Sequence, residues 1–209
     1  MKASTATYKR MPIYLKALYI MRDAGEKYIS SVGLAEAVSE NPSVIKKDLS
    51  FALKSSGKPK VGYEIVNVIN DIEEFLGYNR LKNAILVGVG KLGQALMGYS
   101  GFAKYGLNII AGFDVDKKII GKKIAGKIIY PLEYLEEYLQ ESNIKISVLT
   151  TPQESAQSVA DILVNNGIVG IWNFSTAHLN LPETVAVKNE DMGASLAILS
   201  KKIEENLKK

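Results

Sequence analysis

The stretch Ile85-Leu86-Val87-Gly88-Val89-Gly90-Lys91-Leu92-Gly93-Gln94-Ala95 decides how this chain is read. An apolar β run, Ala84 to Val87, leads directly into G-x-G-x-x-G and a helical pattern, the context that turns a weak glycine pattern into a dinucleotide-binding turn. Gly88 permits the tight turn, Gly90 lets the backbone approach a pyrophosphate, and Gly93 lets the helix pack close to the strand. The helix N-terminus supplies free N–H groups and the positive end of its dipole for that anion. Val89, Lys91 and Leu92 complete the candidate loop. Asp114 follows Gly93 by 21 residues, at the end of the next apolar run, Ile109 to Phe113. A carboxylate there accepts hydrogen bonds from ribose hydroxyls and repels a 2′-phosphate, so NADH and NAD+ are the expected ligands.

Downstream, apolar β runs at Ile146 to Thr150, Ile168 to Phe174 and, more weakly, Thr184 to Val187 alternate with amphipathic helices near Leu92 to Tyr105, Leu132 to Glu141 and Glu154 to Asn165. Buried β runs alternating with helices predict an α/β Rossmann fold, a parallel sheet covered on both faces. Ligands of such sheets bind outside the carboxyl ends of the strands, which makes Thr150, Thr151, Pro152, Asn173 and Phe174 candidates for the nicotinamide half of the site. His178, just beyond, receives no role. The last stretch, Asp191 to Lys209, reads as one more helix with an apolar stripe through Leu196, Leu199, Ile203 and Leu207.

Upstream the pattern is helical. A first helix runs through Ile13, Ala17, Leu18 and Met21, with Pro12 near its first turn, and ends at Ala24-Gly25. A second, short helix follows Ser30-Ser31, with Leu34, Ala35 and Val38 on one face. Asn41-Pro42 is an N-cap followed by proline at the first helical position, opening a third helix from Ser43 to about Leu53. Its apolar face carries Ile45, Leu49, Ala52 and Leu53; another face carries Ser43, Lys46, Lys47, Ser50 and Lys54. That layout suits a recognition helix and an ordinary solvated amphipathic helix equally well. What tips the balance is Lys54 to Tyr63 (KSSGKPKVGY), a Gly/Pro/Lys-rich hairpin-like loop suited to be a basic wing along a phosphate backbone, with Lys58 and Lys60 in it. A further amphipathic helix, Val61 to Gly77, leads to a boundary at Gly77 to Lys82.

Charge agrees with this division. Residues 1 to 60 hold 11 Lys and Arg against 5 Asp and Glu, a net +6, out of 26 and 22 in the whole chain, whose net is +4. The remainder is therefore net −2, and the basic excess marks the N-terminal module as the one built for a polyanion. The chain has no Cys and one His, which excludes disulfides, thiolate zinc sites and a His-based metal site. No apolar run reaches the length of a membrane span and the N-terminus is too polar for a signal peptide, so a cytoplasmic protein without membrane or metal partners is expected. No catalytic acid, base or nucleophile stands out beside the nucleotide turn, and no second domain is present to build a substrate pocket; the expectation is a sensor, not an enzyme.

With both halves in view, the sequence resembles the Rex family of redox-sensing transcriptional repressors. The resemblance is carried by Thr5 to Leu18 (TATYKRMPIYLKAL), Ser43 to Ser50 (SVIKKDLS), Val61-Gly62-Tyr63, Gly88 to Gly93 (GVGKLG), Tyr99 to Gly106 (YSGFAKYG), Phe113 to Asp116 (FDVD), Thr151 to Gln157 (TPQESAQ) and Gly170 to Phe174 (GIWNF). It implies a homodimer that binds palindromic operator DNA and is released when NADH binds, with the C-terminal helix exchanged between subunits. By position it implies DNA contacts from Lys46, Lys47 and Ser50, with Arg10 on the backbone, and a redox-sensitive network of Lys16, Tyr99 and Asp191. The chain departs from the family pattern in its wing, where Lys58-Pro59-Lys60 precede Val61, at Lys16, where some relatives carry Arg, and at Met192, where an aromatic occurs. The expected organisation is a winged-helix domain, all-α with a small β wing, over 1–80, a Rossmann domain over 81–190 and a dimerisation helix over 191–209. The alternatives are a small NAD(P)-dependent oxidoreductase or CoA-ligase-like subunit with a helical appendage, and an NAD-binding scaffold with no DNA role.

Overall fold

A computed structural model describes residues 3–54, 57–58, 61–80 and 82–208, and the chain divides into two units, Met1–Arg80 and Leu81–Lys209. In the first unit, α1 (Thr5–Asp23) is capped by Ser4, whose hydroxyl accepts from Thr7 N at 3.2 Å, and passes through Pro12 without breaking. Its buried face differs from the predicted one. Thr7, Met11, Tyr14, Leu15 and Leu18 are buried, while Ile13 is 53% exposed. Two members of the buried stripe carry hydroxyls, and a purely apolar reading passes over them; they are hidden because a buried carboxylate, Asp48, accepts from both.

The short strand β1 (Tyr28–Ile29) was not expected from the sequence; it pairs antiparallel with β2 (Tyr63–Glu64), so the wing leans on a strand that precedes the helix pair. Gly62, at φ +98°, lets β2 approach: a Cβ there would lie 2.4 Å from Ile29 O. Between the strands come α2 (Ser31–Val38) and α3 (Pro42–Ala52), and after them α4 (Ile65–Leu76), ended by Gly77 in the left-handed conformation. Asn41 caps α3 with Pro42 in its first turn, as the sequence predicts. Ile45, Leu49, Ala52, Ile65, Val68, Ile69 and Ile72 complete the core of this winged helix.

In the second unit the strands are β3 (Lys82–Val87), β4 (Leu107–Asp114), β5 (Lys123–Ile124), β6 (Lys127–Pro131), β7 (Ile146–Leu149), β8 (Gly170–Asn173) and β9 (Ala186–Asn189). They form one sheet in the order β5-β6-β4-β3-β7-β8-β9, parallel except for the β5–β6 hairpin. From β6 to β9 this is the doubly wound dinucleotide order, with its switch point between β3 and β7. The β5–β6 pair was not foreseen: Ile128-Ile129-Tyr130 is a short apolar run closed by Pro131, below the length that periodicity detects. One face packs α6 (Leu135–Glu141) and α7 (Gln153–Asn165) over Ile85, Val87, Phe113 and Leu149; the other packs α5 (Lys91–Gly98) over Leu86, Ile109, Ile129 and Val148. The single helix expected from Leu92 to Tyr105 is two elements: α5 stops at Tyr99, which is extended (φ −77°, ψ 104°), and a 3-10 helix follows over Ser100–Tyr105. Likewise Leu132–Tyr134 is a 3-10 turn ahead of α6. The final helix, α8 (Met192–Leu207), is exposed along its whole length.

Candidate functional site

At the switch point, each glycine of the turn has its own physical reason. A Cβ on Gly88, whose φ is +95°, would stand 2.7 Å from Thr150 C and from Thr151 N, so β3 and β7 meet there backbone to backbone. On Gly93 it would stand 2.2 Å from Gly88 O. On Gly90 it would meet no atom of the described residues within 4 Å. The protein itself requires glycine at Gly88 and Gly93; at Gly90 the bare backbone faces open space, the cradle that a close-lying pyrophosphate needs. Lys91 and Leu92, exposed, open α5 beside it. Val89 points its side chain into the core while its N–H donates to Asp114 Oδ2 at 2.5 Å; Asp114 Oδ1 accepts from Asp116 N at 2.8 Å. The carboxylate predicted for the ribose is thus oriented by the glycine loop and retains lone pairs for hydroxyl donors.

Thr150 donates to Gly88 O at 2.6 Å and fastens β7 to the loop. Thr151 is 9% exposed, and its Oγ1 has no hydrogen-bond partner, one of two such buried side-chain atoms among the described residues. A buried hydroxyl without a partner at the edge of the switch point fits a polar ligand group. Pro152 is exposed and precedes α7. Asn173 differs from expectation: it is buried, its amide donates to Asn189 Oδ1 (2.8 Å) and Ala177 O (3.2 Å), and its carbonyl accepts from Ser175 N and Oγ. Its hydrogen-bonding capacity is consumed in folding the loop that follows β8. Phe174 belongs to an aromatic ladder that sequence reasoning missed: Tyr99, Phe102, Trp172 and Phe174 follow one another with ring centroids 4.8, 5.3 and 4.8 Å apart. Tyr99, 55% exposed, folds back over Gly101, and Asp191 caps α8 by accepting from Ala194 N at 2.8 Å.

In the first unit, Ser43, Lys46, Lys47 and Ser50 all lie on the exposed face of α3, and Lys58 is exposed where the wing turns, its N–H and C=O paired with Gly62. Lys60 lies outside the described residues. Lys16 is exposed on α1. Lys54 is less available than its neighbours: its Nζ stands 2.5 Å from Glu74 Oε2, and its N–H donates to Asp71. Arg10 departs further from the simple expectation of a backbone contact. Its Nε and Nη2 donate to Asp48 at 2.6 and 2.9 Å, joined by Tyr14 OH at 2.7 Å and Thr7 Oγ1 at 2.9 Å. Burial alone would raise the carboxyl's pKa; the donors from Arg10, Tyr14 and Thr7 outweigh it and hold Asp48 below its ordinary value, while burial and Asp48 push the Tyr14 phenol up. The four residues lock α3 to α1 from beneath the Lys46–Lys47 face. A helix-period read of Thr7, Arg10 and Tyr14 could have found one face of the cluster, but not that Asp48 meets it.

Among the described residues no cluster of His, Cys, Asp or Glu could hold a metal, and no helix is long and apolar enough to cross a membrane.

A doubly wound sheet with a glycine turn of this geometry, in the same chain as a winged helix with a lysine face, defines a nucleotide-responsive DNA-binding protein. Comparisons agree with this class. Residues 79–177 match a family model described as a CoA binding domain, and residues 2–50 one described as a putative DNA-binding protein N-terminus. The redox-sensing transcriptional repressor Rex of Bacteroides thetaiotaomicron is 36% identical over 98% of this chain and 93% of its own length. The crystal structure of RSP in complex with β-NAD+ and operator DNA superposes with a TM-score of 0.92 at 32% identity, covering 99% of this chain and 94% of that one. RSP in complex with β-NADH gives 0.88 at the same identity, covering 99% and 96%. The chain belongs to the Rex family of redox-sensing transcriptional repressors, which are regulators and not enzymes.

Proposed function

We propose that this protein represses transcription by binding operator DNA as a homodimer in the cytoplasm and leaves the DNA when NADH binds. The observation that carries the reading is Gly90: its backbone faces open space at the mouth of a doubly wound switch point, in a chain that matches RSP, bound to β-NAD+ and operator DNA, over 99% of its length. In this reading residues 1–80 bind DNA and residues 81–190 bind the nucleotide. Gly88, Val89, Gly90, Lys91, Leu92 and Gly93 would hold the pyrophosphate, Asp114 the ribose, and Thr150, Thr151, Pro152 and Phe174 the nicotinamide half. Asn173 would act by shaping the loop. Bound NADH supplies no turnover; it supplies a preference for one arrangement of the dimer, and only that difference in affinity can move the equilibrium.

Lys46 and Lys47, with Ser43, Ser50 and Lys58, would meet the operator; Arg10 would contribute mainly through Asp48, and Lys54 weakly. Lys16, Tyr99 and Asp191 are proposed to form the redox-sensitive network. Residues 191–209 would be the dimerising helix. Met192, Leu196, Leu199 and Ile203 are 67, 62, 54 and 50% exposed. Each such side chain gains about 1.5–3 kcal/mol on full burial, so a stripe of this length favours a second copy as its cover.

The test is operator binding by a labelled palindromic duplex, titrated separately with NAD+ and NADH. NADH should weaken binding and NAD+ should not; equal affinities under both conditions would sink the reading.

A further inference from the structure

Trp172, the single tryptophan of the chain, packs on the face of the sheet that carries the glycine loop and α5. Its ring is the third rung of the aromatic ladder, between Phe102 and Phe174. The ladder begins at Tyr99, which closes the C-terminus of α5, the helix opened by Gly90. It ends at Phe174, where β8 reaches the ligand edge of the sheet. Anything that shifts α5 or that edge bears on the indole.

The indole has one polar atom, a donor only, and it is already committed: Nε1 donates to Glu190 Oε1 at 2.9 Å. Glu190 directly precedes Asp191, the N-cap of α8, and its own N–H donates to Asn173 O at 2.8 Å. One carboxylate therefore ties the ladder to the point where α8 leaves the sheet. An N–H bond to an ionised acceptor is directional and stronger than a neutral one, so ring position and helix departure are linked. Lys188 Nζ also approaches Glu190 Oε1, at 3.2 Å, but its side chain is 67% exposed, and water screens that pair.

We propose that Trp172 and Glu190 are a positioning pair that transmits nucleotide occupancy to α8, Glu190 acting through the indole and not by touching nucleotide or DNA. The proposal rests on the sensor reading above. Coupling is a free energy shared by two sites, so it must be measured as one. In the full-length protein, operator affinity is measured with saturating NAD+ and with saturating NADH, and the ratio of the two is the readout. Glu190→Ala and Trp172→Phe, which keeps an aromatic rung but removes the N–H, are expected to reduce that ratio at least fivefold. Glu190→Gln, which keeps a carbonyl acceptor, is expected to retain it within twofold, and Lys188→Met to leave it unchanged. NADH binding is followed independently by quenching of Trp172 emission, or by NADH's own fluorescence in Trp172→Phe. If Glu190→Ala and Trp172→Phe bind NADH and keep the full ratio, or if Lys188→Met lowers it as much as they do, the pair is not the link. If the wild-type chain fails to bind NADH at all, the sensor reading falls first and this inference with it.

Discussion

Replacing Asp48 by Ala removes the one acceptor on which Thr7, Arg10 and Tyr14 converge, and the structure sets the scale of the loss. The carboxylate is 1% exposed and takes four hydrogen bonds, two of them from a guanidinium. Breaking a buried ion pair by deleting one partner costs about 3–5 kcal/mol, because the other charge is left uncompensated. Here Arg10 retains 26% exposure and can turn part of its charge to water, which lowers the figure. Against that, the Tyr14 hydroxyl lies in a buried residue and costs about 1–3 kcal/mol if left without an acceptor, whereas Thr7 Oγ1 keeps the Ser4 hydroxyl at 3.1 Å. The two corrections oppose each other, and a loss of about 3–5 kcal/mol is expected for Asp48→Ala. Asp48→Asn keeps one oxygen for a hydroxyl and should lose about half as much. The assay is urea denaturation followed by far-UV circular dichroism, which sees the helices of both units, beside Trp172 emission, which reports on the second alone. The part of the dichroism transition that Trp172 emission does not share should move, and operator affinity should fall with it. The pH dependence has a definite sign. Asp48 titrates below its ordinary 3.8, so its contribution is present at neutral pH and is lost as pH falls through the depressed value. Tyr14 titrates above its ordinary 10.0, so its contribution is whole below that pH and is lost as pH rises through the raised value. An Asp48→Ala protein within about 1 kcal/mol of wild type at neutral pH, with unchanged acid unfolding, would refute the reasoning that this cluster holds α3.

Gly90→Ala should fold as stably as the wild type, since its Cβ meets nothing, yet lose NADH affinity at least tenfold; Gly88→Ala, strained at φ +95° and 2.7 Å from the β7 backbone, should lower the melting temperature before any ligand is added. Removing Lys46 and Lys47 together should weaken operator binding and flatten the plot of log affinity against log salt by about 0.9 for each phosphate no longer neutralised, whereas Lys54→Ala should change the slope least because Glu74 already holds that charge. Ser147 lies in the interior strand β7, 0% exposed, with a hydroxyl that has no partner among the described residues, so Ser147→Ala is expected to be neutral or to stabilise by about 1 kcal/mol in the urea midpoint; a loss above that would mean the hydroxyl has an unrecognised acceptor.

Features written in short windows of sequence were legible without coordinates. The turn from Gly88 to Gly93, the Asn41-Pro42 helix start, the Gly77 stop and the buried β runs all depend on residues within a few positions of one another, and the charge imbalance between the two parts of the chain needs only a count of residues. Only tertiary structure decided the rest. Asp48 meets Arg10, Tyr14 and Thr7 across separations of 38, 34 and 41 residues, and no periodicity records such a meeting. The same limit hid the pairing of β1 with β2 and the ladder from Tyr99 to Phe174. Asn173 was legible as a polar residue at a strand end, but whether its amide faces a ligand or its own loop depends on where Asn189, Ser175 and Ala177 are brought by the fold. Local sequence sets conformational preference and hydrophobic period; which polar groups find one another depends on how distant elements pack, because a buried donor or acceptor is stable only where packing delivers its partner.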